Sequence, residues 1–498
     1  MKKYVLFLGV ISIIFAFFSS CKPEDSEKPT ITVNFVDNIS EGWYGDTIKF
    51  GIAVDCIADY TVAISNNHDA QAFNQNYKAG PNVVDFNYVI PTDLVDGNIV
   101  KVTFTATNTG AELSEIVEKE ITINLPSAET IYHHGTISEN EIWLAKDIHI
   151  VDDDVIVRAL NNPILTIEKG ATVFMQTGTS ITIGGSANYG TLIAKGDIDN
   201  IITFTSHATV PQAGDWDWIQ FSEGATNCLL EYCDIKYGAG NSSWGMVDVI
   251  NNALVSVKNC TLTNFENYGV EAEDDNGFVE FTNNTLTKAT GHAMKILGRH
   301  VKTIGSGNIF NVDANSGILV TGSSSSYNYI ESDALWLKQN CPYFIEDDIV
   351  VKNNATLTIE AGSVLKFMAD VSLEVGTSTE FGKIIAQGTS TDKIVFTSAS
   401  PSPQKGDWKY IDFKNNTITG SILDYCEIAY AGRTSINADY GNIHVSPCGT
   451  GNPIISNCEI HHSNNFGIFI NKDSGVYGDP AMSNINYHDN NQGDIGME

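Results

Sequence analysis

The residues from about Trp143 to Tyr237 recur from about Trp336 to Tyr430, and this duplication constrains the fold more than any single motif. Leu165-Thr166-Ile167-Glu168-Lys169-Gly170 returns as Leu357-Thr358-Ile359-Glu360-Ala361-Gly362. Gly214-Asp215-Trp216 returns as Gly406-Asp407-Trp408, and Leu230-Glu231-Tyr232-Cys233-Asp234-Ile235 as Leu423-Asp424-Tyr425-Cys426-Glu427-Ile428. Positions 170 and 362 are 192 apart, as are 214 and 406. Ordered self-similarity of this kind marks a repeat architecture. It also separates two kinds of residue: those present in both copies serve the scaffold before they serve a site.

The ends of the chain and its charge bound the partners. Sixty acidic residues against 28 basic ones give a formal net charge of -32. That surface suits neither nucleic acid nor anionic lipid; it suits an exported protein kept soluble by its own charge. Calcium held by clustered carboxylates stays open, although no EF-hand type loop is present. A hydrophobic content of 42%, with 19 Tyr and 23 Phe, excludes a disordered chain.

Lys2-Lys3 precede an apolar run from Tyr4 to Phe18, closed by Ser19-Ser20-Cys21. This reads as a secretory signal over residues 1–20, and it resembles the lipobox of bacterial lipoproteins. The resemblance implies that Cys21 carries lipid and anchors the protein to a membrane without spanning it. Lys22-Pro23-Glu24-Asp25 resembles the signal that sends some Gram-negative lipoproteins to the outer face of the outer membrane. Residues 21–29 then form a tether. The other eight cysteines form no dense framework and no CxxC pair. Cys233 mirrors Cys426 and Cys260 mirrors Cys458, as small buried units of a stack would.

From 30 to about 125, short alternating strands follow one another, among them Thr47 to Val54, Val83 to Tyr88 and Val100 to Thr107. Roughly seven strands in about 95 residues fit a β-sandwich. The stretch resembles the Ig-like or cadherin-like modules of bacterial surface proteins, which implies a spacer. From 129 to 498 the texture changes to short Val/Ile/Leu/Phe strands separated by Asn and Gly. Asn-Asn pairs recur at 161, 251, 283, 353, 415 and 464. Asn tolerates the left-handed conformation at tight corners, and stacked Asn side chains can form ladders. Three short strands per coil, with a corner between each, is the pattern of a β-solenoid.

Thr166-Ile167-Glu168-Lys169-Gly170, Gly190-Thr191-Leu192-Ile193-Ala194-Lys195-Gly196 and Gly214-Asp215-Trp216 resemble the right-handed parallel β-helix of the pectin-lyase-like superfold. The expected fold is therefore all-β: an Ig-like sandwich, then a β-helix in two copies, about 135–327 and 328–498. Coils stacked at roughly 4.8 Å would give some 13 to 16 levels and a rod roughly 60 to 75 Å long.

The superfold hosts lyases, hydrolases and adhesins, so chemistry must come from the residues. Glu273-Asp274-Asp275, Gly291-His292, Lys295 and Arg299 resemble the Asp pair, Gly-His-Gly and Arg-Ile-Lys of polygalacturonase-like enzymes. Position 293 is Ala, the Lys295-Ile296-Leu297 order differs, and the Asn-Thr-Asp element is missing. No catalytic residue is therefore assigned. His133-His134 and His461-His462 are adjacent pairs; neighbours on a strand face opposite sides, so both read as surface histidines rather than metal ligands. The aromatic trio Trp216, Trp218 and Trp244 matches Trp408, Tyr410 and Tyr440. Exposed on a solenoid face, these rings could stack on sugars, with Trp216 and Trp218 sharing one side of a strand.

The expected function is a non-catalytic lipoprotein of the outer membrane, exposed at the cell surface, whose β-helix binds extracellular polysaccharide or host and matrix glycans. The alternatives are a polysaccharide lyase or glycoside hydrolase, and a structural component of the cell envelope. No cofactor motif is present.

Overall fold

The computed structural model describes residues 30–36, 41–43, 47–90, 98–109, 113–124, 128–240, 244–272, 277–288, 291–322, 327–433, 440–446, 451–472 and 479–497. The signal segment, Cys21 and the tether, Glu273-Asp274-Asp275 and Cys448 lie outside the described residues. The chain divides into two compact units, Met1–Ser127 and Ala128–Glu498.

The first unit is a two-sheet β-sandwich. Ile31–Phe35, Thr47–Cys56 and Gly80–Val89 make a three-stranded antiparallel sheet. Glu41–Trp43, Ser114–Asn124, Ile99–Asn108, Tyr60–Asn66 and Phe73–Tyr77 make the second, in that order. Alternation puts Phe50, Ile52 and Val54 of one sheet against Val62, Ile64, Val102 and Phe104 of the other. Phe104 meets Phe35 and Phe50 edge-on at 5.3 and 5.8 Å.

The second unit is a parallel β-helix with three faces. In the first copy, face 1 stacks Glu141–Trp143, Ile164–Ile167, Thr191–Lys195, Cys228–Glu231, Val255–Lys258 and Glu280–Thr282. Face 2 stacks Thr172–Met175, Ile202–Ser206, Cys233–Lys236, Thr261–Thr263, Thr285–Thr287 and Ile309–Asn311. Face 3 stacks Ile181–Ile183, Ile219–Phe221, Gly245–Val249, Tyr268–Ala272, Met294–Leu297 and Ile318–Thr321. Inward residues of all three faces merge into one apolar core. Asn162, Asn227, Asn259, Asn283, Asn354 and Asn457 turn corners at positive φ. A buried ladder also forms: Asn284 Oδ1 accepts from the Cys260 N–H at 2.9 Å, and Asn308 Oδ1 from the Asn284 N–H at 3.0 Å. Cys228, Cys233, Cys260, Cys341, Cys426 and Cys458 are buried free thiols of this unit.

The Gly-Asp-Trp turn is the same device in both copies. Gly214 and Gly406 sit at φ 81° and 82°, where a side chain is strained. Asp215 accepts from Ser206 Oγ at 2.5 Å and from the Gln212 N–H at 2.9 Å; Asp407 does the same with Ser398 at 2.6 Å and Gln404 at 2.9 Å. Trp216 and Trp408 then drop into the core, their Nε1 donating to the carbonyls of Lys236 and Ala429 at 2.9 and 2.8 Å.

Between the copies the helix rotates by one face. Ile318–Thr321, the last strand of face 3, pairs with Tyr343–Ile345, the first strand of face 2 in the second copy. The first copy's face 2 ends at Ile309–Asn311, where the Asn340 side chain replaces a strand: it accepts from the Phe310 N–H at 2.8 Å and donates to the Phe310 carbonyl at 3.0 Å. A new face 3 begins with Tyr327–Ile330, where Asn328 Oδ1 accepts from the Gly298 N–H at 2.8 Å above the 3-10 turn Gly298–Thr303. From there face 2 continues through Val364–Phe367, Ile394–Ser398, Cys426–Ala429, Glu459–His461 and Asn486–His488. Face 3 continues through Asp348–Val351, Leu373–Val375, Ile411–Phe413, Gly441–Val445, Phe466–Ile470 and Gly493–Met497.

Candidate functional site

The rotation creates one merged face, and its outward positions stack in register: Gln220, Asp248, Glu271, Lys295, Leu319, Phe344 and Lys366. Its character changes along the row. Gln220 Nε2 donates to Asp248 Oδ2 at 2.7 Å, and Lys295 Nζ meets the fully buried Glu271 at 2.9 Å. Leu319 and Phe344 are apolar. Lys366 lies over the Phe344 ring at 5.1 Å and donates to the Ala314 carbonyl at 3.0 Å; burial lowers its pKa.

Two open cavities flank this row and share His292. One, of about 640 Å³, is lined by Phe265, Glu266, Tyr268, Lys288 and His292. The other, of about 760 Å³, is lined by His292, Phe344, Glu346, Met368, Asp407 and Arg433. Together they form a groove with an aromatic edge and mixed charge, the composition that carbohydrate and other polar organic ligands use. The His292 ring packs on Phe344 at 4.6 Å. Its Nδ1 is buried with no hydrogen-bond partner among the described residues, and burial lowers its pKa. A native structure seldom leaves such an atom unmatched, which makes the His292 ring a candidate contact for a group entering the cavity. Burial also pulls Lys288 down to about 8, against the opposing pull of Glu266.

The six aromatic residues expected to form a sugar platform separate into three groups. Trp216 and Trp408 are 0% exposed and plug the core, so they offer no ring to a ligand. They share no strand side with residues 218 and 410, because 214–218 is a turn and the strand starts only at Ile219. Trp218 and Trp244 are half-buried at the edge of the merged face, edge-to-face at 6.2 Å. The Trp218 Nε1 is buried without a partner among the described residues. Tyr410 and Tyr440 stack at 4.9 Å and 9°, but they edge the second copy's face 3, which is a different side of the helix. The six rings therefore do not make one platform.

Beneath Tyr410 and Tyr440 lies a charged network. Asp412, 1% exposed, receives His444 Nδ1 at 2.8 Å and Lys414 Nζ at 2.7 Å. Burial opposes ionisation of Asp412, yet His444 and Lys414 beside it hold its pKa below 3.8. Burial raises Glu374, the next carboxylate, above its usual range, although Lys414 lies 3.6 Å away.

The histidine pairs also depart from expectation. His133 and His461 are buried rather than at the surface. His133 Nε2 faces His149 Nδ1 at 2.9 Å while His134 turns away to Asp152, so that pair does divide. His461 and His462 instead converge with His488, because His462 adopts φ 53° and leaves the strand's alternation. The adjacent-pair argument assumed that the strand ran on through His462.

Residues 328–420 match a family described as a pectate-lyase like beta helix domain. No curated protein matches the chain. Among solved structures, the catalytic domain of a GH87 alpha-1,3-glucanase in complex with nigerose aligns over 94% of this chain and 95% of its own. The identity is 10% and the TM-score is 0.18, at which the superposition bears on neither fold nor activity. Over residues 328–420, then, the chain is similar to pectate-lyase-like β-helices, and parallel coils of the same kind make up the first copy.

Proposed function

We propose that the protein is a non-catalytic, glycan-binding surface lipoprotein. It is anchored through Cys21, spaced by an Ig-like sandwich, and binds extracellular polysaccharide along the merged face. The observation that carries this reading is the groove in which His292 Nδ1 is buried without a partner among the described residues against the Phe344 ring, with Trp218 Nε1 likewise unpartnered further along the edge of the same face. A glycan hydroxyl both donates and accepts, and so satisfies either atom, while ring faces take the sugar's C–H surface. Glycan-array screening followed by calorimetry on the full ectodomain tests it. His292→Ala and Trp218→Ala should each weaken binding by about tenfold or more, and Tyr410→Ala, on another side of the helix, should leave it unchanged. Unaltered binding in both His292→Ala and Trp218→Ala would sink the reading. Metabolic labelling of Cys21 with palmitate, and protease accessibility on intact cells, test the address.

One observation favours a second reading, a polysaccharide lyase. Lys288 and His292 line the same cavity, and burial lowers the pKa of both, Lys288 to about 8, which favours the neutral form that a proton-abstracting group requires. Unsaturated ends appearing in acidic polysaccharide incubated with the protein, and lost with Lys288→Met, would establish it.

A further inference from the structure

The last two levels of the merged face carry three histidines that the glycan-binding reading does not use. His461 and His488 are register partners on adjacent coils, their rings parallel at 4.5 Å and 9°. His462 follows His461 at φ 53°, which swings its ring back to the same side. His461 Nδ1 and His462 Nδ1 then face each other at 2.7 Å, and one nitrogen from each of the three rings lies within 4.8 Å of the others. His461 is buried and the other two are partly exposed, so the cluster is ordered by the scaffold yet reachable.

Around the three rings stands a set of carboxylates. Glu427 lies 3.5 Å from His461 Nε2, and Asp489 lies 4.0 Å from His462 Nε2. His488 has Asp489 at 2.9 Å on Nδ1 and Glu459 at 3.1 Å on Nε2, and Glu459 is itself held by Lys393 at 2.8 Å. Metal-ligating histidines commonly direct their second nitrogen to such a carboxylate, which fixes the ring and raises its basicity. The scaffold does not require this arrangement. The corresponding strands of the first copy, Thr261–Thr263 and Thr285–Thr287, place Thr263, Asn264 and Thr287 where the second has His461, His462 and His488.

We propose that His461, His462 and His488 form a binding site for a divalent transition metal that pins the final coil to the one beneath it. Three imidazoles select the Zn²⁺, Cu²⁺, Ni²⁺ or Co²⁺ class over Ca²⁺ or Mg²⁺, which prefer oxygen. Asp489, close to two of the rings, or a water completes four-coordination. The position gives the metal its role. Among the described residues Asn486–His488 is the last strand of its face, paired with Glu459–His461, and a metal there cross-links the two coils.

Titration of the untagged ectodomain with Zn²⁺ by calorimetry, and with Co²⁺ by visible absorption, tests the site. One equivalent should bind, with the intense d–d bands of tetrahedral Co²⁺. His488→Ala and His462→Asn should each weaken binding by at least about tenfold to a hundredfold; the second installs the first copy's residue and keeps a side chain that tolerates positive φ. Both variants should keep the metal-free urea midpoint of the parent, and Zn²⁺ should raise the melting temperature of the parent alone. Absence of stoichiometric binding, binding that survives both variants, or binding lost instead in His133→Ala would overturn the proposal.

Discussion

The two copies of the repeat agree most closely at the Gly-Asp-Trp turn and the stacked cysteines, and diverge most at outward positions of face 3. Gly214 and Gly406, Asp215 and Asp407, and Trp216 and Trp408 perform the same tasks with nearly the same distances. Cys233 and Cys260 stack as Cys426 and Cys458 do, each thiol directed at a carbonyl of the coil beneath. On face 3 the likeness ends. Asp154 and Asp348 both accept from a serine, Ser180 or Ser372, but the neighbouring residue is Asp217 in one copy and Lys409 in the other. The first arrangement sets two carboxylates together, and burial followed by Asp154 raises the pKa of Asp217. The second is an ion pair at 3.0 Å. Likewise Gln220 and Asp248 correspond to Asp412 and His444. A coil stack imposes the same inward volume on each level, because close packing penalises any change. Outward positions carry no such demand and are where the copies diverged.

The equivalence of the interiors can be broken most forcefully at the two core tryptophans. Trp216→Ala and Trp408→Ala should each cost about 3–5 kcal/mol in urea unfolding, and a marked inequality would show that the copies are not interchangeable scaffolds. The divergence of face 3 is sharpest at Asp412. Asp412→Asn removes the buried negative charge and one of the two acceptor oxygens that face His444 and Lys414 and should cost roughly 3 kcal/mol at neutral pH, whereas Gln220→Asn in the first copy should cost far less. Because the folded pKa of Asp412 lies below 3.8, its contribution is complete above that value and is lost as pH falls through the folded value. Acid unfolding monitored by circular dichroism should therefore flatten below pH 3.8 in Asp412→Asn; an unchanged acid limb would refute the assignment. The junction should show the smallest of the three effects. Asn340→Ala leaves the buried Phe310 N–H and carbonyl unpaired and should cost about 1–3 kcal/mol. Amide exchange should quicken at Phe310, and protection equal to the parent would show that another group caps that face.

Much of the solenoid could be read from the chain. Asn at corners, Gly before strands and the doubled Gly-Asp-Trp turn are local signals whose physics lies in backbone conformation and in period-two alternation. The candidate site could not be read in the same way. Trp216 and Trp218 looked equivalent two residues apart, but the turn that begins at Gly214 sends one ring to the core and leaves the other at an edge. His292 belonged to a motif that failed, and only the packing of Phe344 from the next copy turns it into a groove residue. His461, His462 and His488 became neighbours through a left-handed backbone step and a stacking register, neither of which composition reveals.

By itself, the sequence determined the parallel β-helix, the sandwich ahead of it and the residues that serve both copies alike, because periodicity and corner chemistry are short-range. Only the tertiary structure decided that the second copy is turned by one face against the first. Asn340 closes one stack and Asn328 opens another, and these contacts join residues 30 positions apart. That rotation runs face 3 of one copy into face 2 of the other, and so brings His292 of the first copy against Phe344 of the second in a groove that neither copy has alone.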